Sequence, residues 1–393
     1  MSLRILHVTP YFTDAWAYGG IPRLATTLTT GLARRGHHVT VCTTDACDRH
    51  SRLPTRSLAP APSDIDVHVF RNWSNRLAYE LQLFTPIGLG RYLADSGAQF
   101  DIAHIHGHRH LLERVAARWC RIHGVPYVSA PNGTAPRIER RKALKRVWDA
   151  MWGRRDLAAA AAVLAVSQAE RAQLLSMGVA AQRIRVVPNP LDLDEWAPPP
   201  ARGGFRRQHN LGDVPLVVFL GKMTPRKRLD VVMAAMPRVQ MRAARLVVAG
   251  NDMGSGPAAR QLASTLGISE RTQFVGLVTG RARLDLLTDA DVVVYPSADE
   301  VFGLVPLEAL LCGTPVVVAD DSGCGEIVGA LDGGQVVAVG DPDALAAAID
   351  RALASPQAWR VRAASGAAAV AERFGGPVVA EQVDALYREV LAR

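Results

Sequence analysis

The chain has 393 residues, 49% hydrophobic and 21% charged, which excludes a disordered or fibrous protein and is long enough for two cores. Its 45 Lys and Arg against 37 Asp and Glu leave a net charge of +8, a balance suited to nucleic acid, an anionic membrane or a phosphorylated ligand. No apolar run reaches the roughly 18 residues of a membrane span, and five scattered cysteines lack metal-ligand spacing, which fits a reducing cytoplasm.

From the N-terminus, "LRILHVT" (3–9) reads as a first strand and not as a signal peptide, because its apolar run is short and ends in a loop. Further strand-like runs follow at 38–44, 65–70, 101–106, 126–130, 162–167 and 184–189. The segment 192–210, rich in Pro, Gly and charge, reads as a linker. Six more runs lie at 216–221, 245–250, 272–276, 291–296, 315–320 and 334–339. Helical patterns alternate with these strands throughout, the signature of an α/β fold with parallel sheets. The pattern predicts two α/β domains in tandem, at 1–190 and 191–374, with their loops across a cleft.

Several loops carry chemistry. "YGGIPR" after the first strand supplies Gly19 and Gly20, where a ligand can approach backbone closely. "DIAHIHG" (101–107) puts His104 and His106 on one sheet face, as ligand-facing groups or as structural histidines. In residues 130–170, Leu144, Val147, Trp148, Met151 and Trp152 recur at helical spacing among Arg140, Arg141, Lys142, Lys145, Arg146, Arg154 and Arg155. That pattern suits either an anionic membrane surface with a lipid-linked acceptor or a core helix with a solvated basic face. "FLGKMTPRKRLD" (219–230) places Lys222, Arg226, Lys227 and Arg228 after a strand, which suits a diphosphate or a plain basic surface loop. "ADEVFGLVPLEALLCGTP" (298–315) sets Glu300 and Glu308 about a helix start, a natural anion site. Alone, the two carboxylates are equally a helix-start residue and a solvated helix residue.

Together these segments resemble the retaining nucleotide-sugar glycosyltransferases of family 4. The resemblance spans essentially the whole chain, and its most specific marks are the paired glutamates and Gly-Thr-Pro-Val of residues 295–320. It implies a GT-B type fold of two facing Rossmann-like domains, with the helical tail 375–393 packing back on the first, and sugar transfer from a UDP- or GDP-linked donor. Glu308 would hold the ribose hydroxyls and Glu300 the transferred sugar, with the backbone of Phe302, Gly303 and Leu304 on sugar or phosphate oxygens. Lys222 and Lys227 would neutralise the leaving diphosphate. His106 would face sugar and acceptor, Gly19 and Gly20 would lie against diphosphate and acceptor, and Gly276, Leu277 and Val278 would lie near the base. Lys222 stands where the family usually has Arg, and Pro190 and Arg228 where glycine is frequent.

The run "VSAPNGTAP", with Asn132, looks like the branch that builds exopolysaccharide and lipopolysaccharide. Asn132, Arg140, Arg141, Lys145, Trp148 and Trp152 are therefore candidate acceptor or membrane residues. The acceptor would be a growing, lipid-linked saccharide at the inner face of the membrane; a small natural product is the alternative. The basic cluster of residues 219–230 can take a metal's place at the diphosphate, so no metal and no cofactor is expected. A nucleic-acid-binding α/β protein would explain the charge and leave the two glutamates unexplained, so no nucleic-acid partner is expected. A dehydrogenase would want Gly-x-Gly-x-x-Gly after a first strand, which neither half offers.

Overall fold

The computed structural model describes residues 1–13, 15, 18–53, 65–96, 99–138 and 142–393. It divides into two compact units, Met1–Asp192 with Phe374–Arg393, and Leu193–Arg373.

The first unit is built on a seven-stranded parallel sheet, from β1 (Arg4–Val8), β2 (His38–Thr44), β3 (Ile65–Phe70), β4 (Ile102–His106), β5 (Tyr127–Ala130), β6 (Ala162–Ala165) and β7 (Ile184–Val186). Its strand order is β3-β2-β1-β4-β5-β6-β7. The second unit carries β8 (Leu216–Leu220), β9 (Arg245–Ala249), β10 (Thr272–Gly276), β11 (Val292–Tyr295), β12 (Val316–Ala319) and β13 (Gly334–Val337). The order there is β10-β9-β8-β11-β12-β13.

Inner strands such as Leu-Val-Val-Phe-Leu of β8 and Val-Val-Val-Ala of β12 are buried at every position, as strands covered by helices on both faces must be. In each sheet the order reverses once, between β1 and β4 and between β8 and β11. Loops leaving the carboxyl ends of those neighbours diverge and open a crevice, the usual ligand position in open α/β sheets. Gly19 and Gly20 lie in the loop leaving β1, and His106 closes β4 itself; the loops carrying Lys222, Lys227 and Glu300 leave β8 and β11.

The terminal helix Gly376–Leu391 belongs to the first unit, where Val379, Val383 and Tyr387 join the core with Leu28 and Leu32. Close approach forbids a side chain where the two belong together: a Cβ on Gly31 would come within 2.7 Å of the Ala380 Cβ.

The segment 192–210 is no free linker. It forms a short 3₁₀ turn, Leu193–Trp196, and a helix, Gly204–Gln208. Trp196 and Phe205 are buried, and Arg202 and Arg206 both pair with Asp291. Its Pro, Gly and charge content hid two anchoring aromatics. Among the described residues, no helix is long and apolar enough to cross a membrane.

Candidate active site

In the second unit, β8 ends against β9 so tightly that a Cβ on Gly250 would lie 1.9 Å from the Gly221 carbonyl oxygen. This crossing fixes where the basic loop begins. The loop then turns through a 3₁₀ segment, Pro225–Lys227, and Arg228 takes a left-handed φ of 50°, the conformation for which glycine is the easier residue. The Ala298 amide donates to the Arg226 carbonyl at 2.8 Å, drawing the β11 loop onto the β8 loop.

Lys227 and Glu300, which lie 73 residues apart in sequence, thereby form a short ion pair. Tyr295, the last residue of β11, hydrogen-bonds to Lys227 and donates to Glu300 at 3.2 Å. Burial alone would raise the Glu300 carboxyl; the charges of Lys227 and Arg226, with hydrogen bonds from Lys227 and Tyr295, hold it at about 2. Lys222 moves the other way. Loss of hydration and the neighbouring Lys227 and Arg226 charges lower its ammonium to about 8, against the pull of Glu300.

Gly303 follows with φ 80°, and a Cβ there would come within 2.6 Å of the Cys324 sulfur. The helix Leu304–Leu311 starts from it without a side-chain cap, on the side where helix dipoles favour negative charge. Phe302 is buried beneath this turn, whereas Leu304 is half-buried. Glu308 is not a solvated helix residue: it is fully buried and pairs with Arg283 at 3.5 Å. Gly276 and Leu277 are exposed and Val278 half-buried at the end of β10, where the Gly250 amide donates to the Gly276 carbonyl at 2.7 Å.

In the first unit, Gly19 (φ 92°) and Gly20 precede the helix Ile21–Arg34, both half-buried. His106 is buried and shares a 3.1 Å hydrogen bond with His7, a residue the sequence reading missed although it sits on the same face of the neighbouring strand. His104 bonds to the Tyr387 hydroxyl at 2.6 Å. The three imidazoles stack with ring centres 4.4–5.3 Å apart. Burial pushes all three toward the neutral form, His106 to about 4. One nitrogen from each lies within 4.8 Å of the others. The near-parallel rings form a stack joined by the His7–His106 hydrogen bond. His104, His106 and Asn132 edge a small pocket otherwise lined mainly by apolar residues such as Leu24, Leu28 and Val383.

Asn132 adopts φ 51°, and the loop it opens is tied down by Glu170, which accepts from the Gly133 and Val166 amides. Beyond it, Arg109 reaches the Thr134 and Ala135 carbonyls and holds Asp149 through two 2.8 Å bonds. His108, which burial alone would lower, is raised to about 9 by Glu113 and Asp149. This buried network also escaped the sequence reading.

It anchors the basic helix Lys142–Trp148, which continues through a π-helical turn, Asp149–Gly153. Leu144, Val147 and Met151 point into solvent, 61%, 53% and 55% exposed, so this is no core helix with a solvated face. Trp148 and Trp152 turn half inward, edge to face at 5.0 Å, and Lys145 donates to the Ile138 carbonyl. Arg140 and Arg141 lie outside the described residues.

The basic loop makes a testable statement about pH. Lys222 is a cation below about 8 and neutral above it. Affinity for a nucleoside diphosphate is therefore expected to fall as pH rises from 7 through 9, by up to about tenfold for one lost charge-assisted contact. Titration calorimetry across that range checks it. Lys222→Arg, charged throughout, is expected to flatten the decline; a wild-type affinity constant to pH 9.5 would remove Lys222 from the anion site.

Comparison with known proteins gives the family and the fold. Residues 18–195 match the family model "Glycosyltransferase Family 4" and residues 202–369 the model "Glycosyl transferases group 1". The chain is 33% identical over 95% of its length, and 95% of the relative's, to a D-inositol 3-phosphate glycosyltransferase of Frankia alni. A GDP-mannose-dependent alpha-(1-6)-phosphatidylinositol monomannoside mannosyltransferase of Mycolicibacterium smegmatis is 34% identical over 49% of this chain and 53% of its own. Among solved structures, Anabaena Alr3699/HepE in complex with UDP and glucose superposes with TM-score 0.78, covering 98% of this chain and all of the other at 20% identity. Sucrose-phosphate synthase from Thermosynechococcus elongatus gives TM-score 0.79 at 23% identity, with 99% of each chain covered. At such identities the structural likeness establishes the fold.

Proposed function

The chain belongs to the family-4 nucleotide-sugar glycosyltransferases, and from that premise we propose that it transfers a sugar, with retention and without a metal ion, from a UDP- or GDP-linked donor to a lipid-linked saccharide at the cytoplasmic face of a membrane. Breaking the bond to the nucleotide builds positive charge on the sugar ring and negative charge on the departing phosphate. Lys222 and Lys227, beside the helix start at Gly303 and Leu304, would answer the phosphate charge as preorganised donors, often the largest catalytic contribution. Glu300 would face the sugar and Glu308 the ribose, with the 276–278 loop at the base. His106, Gly19 and Gly20 would border the acceptor side.

The acceptor reading is carried by one observation: Leu144, Val147 and Met151 stand exposed on a helix flanked by Lys142, Arg146, Arg154 and Arg155. Apolar side chains framed by cations match an anionic lipid surface, where exopolysaccharide or lipopolysaccharide intermediates are assembled. A second reading, transfer to a phosphorylated polyol, is favoured by the full-length likeness to a D-inositol 3-phosphate glycosyltransferase.

Two measurements test the proposal. Thermal stabilisation by a panel of nucleoside diphosphates and nucleotide sugars, with EDTA present, is expected to pick out one base; a shift that EDTA abolishes would refute metal independence. Sedimentation with vesicles is expected to show binding to anionic lipid and about tenfold weaker binding for Met151→Asp. No binding, together with transfer to a soluble inositol phosphate, would move the function to the second reading.

A further inference from the structure

Glu308 has 0% relative exposure on the helix Leu304–Leu311. A carboxylate removed from water is costly unless a cation accompanies it. The cation is Arg283, itself only 5% exposed, on the helix Gly280–Asp289. Its Nε lies 3.5 Å from a Glu308 oxygen, while its Nη2 makes a short ion pair with Glu195 from the 3₁₀ turn Leu193–Trp196. One planar guanidinium is therefore shared by two carboxylates, Glu308 at Nε and Glu195 at Nη2. Glu195 is the more exposed of the two, with a side chain 26% exposed against 1% for Glu308, so it anchors the fork from the solvent side. The fork has donors to spare for both, a geometry a lysine ammonium does not reproduce.

We propose that Arg283 is a positioning residue for ribose recognition: clamped by Glu195, it keeps Glu308 ionised and aimed for the ribose hydroxyls of the donor. This rests on the ribose role assigned to Glu308 above. A carboxylate recognises a vicinal diol by accepting from both hydroxyls, which requires it to be unprotonated and fixed in rotation. Without the guanidinium, a carboxyl buried this completely would take up a proton, turn toward another donor, or both.

The test compares a ribonucleoside diphosphate with its 2′,3′-dideoxy analogue, both measured by calorimetry on the full chain. Wild type is expected to prefer the ribonucleotide about tenfold or more, and Glu308→Gln to erase most of that preference. Arg283→Gln is expected to weaken the ribonucleotide about tenfold and leave the dideoxy analogue within about twofold, so the two affinities converge. A merely structural role would weaken both alike, and that outcome overturns the inference. So does an undiminished preference in Arg283→Gln when Glu308→Gln has lost it. If wild type shows no preference, or Glu308→Gln keeps it, the ribose reading itself fails, and the inference with it. Should Arg283→Gln not fold, Arg283→Lys serves the same purpose: it keeps the charge and loses the fork, so a preference reduced about threefold or more supports the proposal and an intact one overturns it.

Discussion

Lys227→Ala is expected to lower turnover about 10²–10³-fold while changing the donor KM less than tenfold. The split follows from where the ammonium already is. Lys227 is 9% exposed, bonded to Tyr295 and paired with Glu300 before any donor arrives. Binding a ground-state diphosphate exchanges one anionic partner for another and gains little. As the sugar–phosphate bond breaks, charge accumulates on the leaving oxygens, and an ammonium already fixed in place needs no reorganisation to meet it. Steady-state kinetics with the nucleotide sugar identified by thermal shift gives the answer. Wild-type turnover in the variant would dismiss the leaving-group role, and a pure KM effect would reduce Lys227 to a binding group.

Mild acid is expected to loosen the first unit while the second stays intact. Six histidines are buried in the first unit, His7, His37, His104, His106, His108 and His110, whereas residues 193–373 contain one, His209. Burial lowers five of the six, His106 and His110 to about 4. A lowered histidine binds its proton more readily in the unfolded chain. Its penalty is therefore absent above the unfolded value of 6.5 and grows as pH falls toward the folded one. His108, raised to about 9, acts oppositely, but its contribution is already complete below 6.5 and adds nothing further on acidification. Glu170, which burial raises to about 7, and Asp156, raised as well, give back part of the loss. The lowered histidines outnumber these two acids, so the first unit is expected to lose stability as pH falls from 6.5 toward 4. Hydrogen exchange followed by mass spectrometry from pH 7.5 to 4.5 is expected to show protection failing first around β1 and β4. Equal loss in both units would contradict the assignment.

The strands were legible because parallel strands covered on both faces are continuous apolar runs, and those at 38–44, 65–70 and 272–276 coincide with β2, β3 and β10 to the residue. The division of strands between two sheets followed from the Pro- and Gly-rich break at 192–210, although that break proved to be packed structure. Trp196 and Phe205, its anchors, are single residues without a period, so no pattern announced them. At the candidate site, alternation told which face His104 and His106 share but not how deeply they lie. The partners of the charged groups were hidden for a different reason. Glu195 and Arg283 are 88 residues apart, and Arg109 and Asp149 are 40 apart; only the return of the chain through successive crossovers brings them together. A single sequence carries no local trace of such pairs.

The hold of Arg109 on Asp149 has a bearing on whatever meets the exposed face of Leu144, Val147 and Met151. The helical run from Lys142 through the π-helical turn to Ala159 would be marginal alone in water. Here the ion pair of Asp149 with Arg109, reinforced by Arg137 and His108, fixes the middle of that run to the loop after β4. The ordering entropy of that face is thus met when the protein folds, not when a surface arrives. Attachment through it would behave as the docking of a rigid plate: weak per residue and quick to form. Its strength would follow the apolar area presented, so that adding or removing one large side chain changes affinity nearly by the full transfer free energy of that side chain.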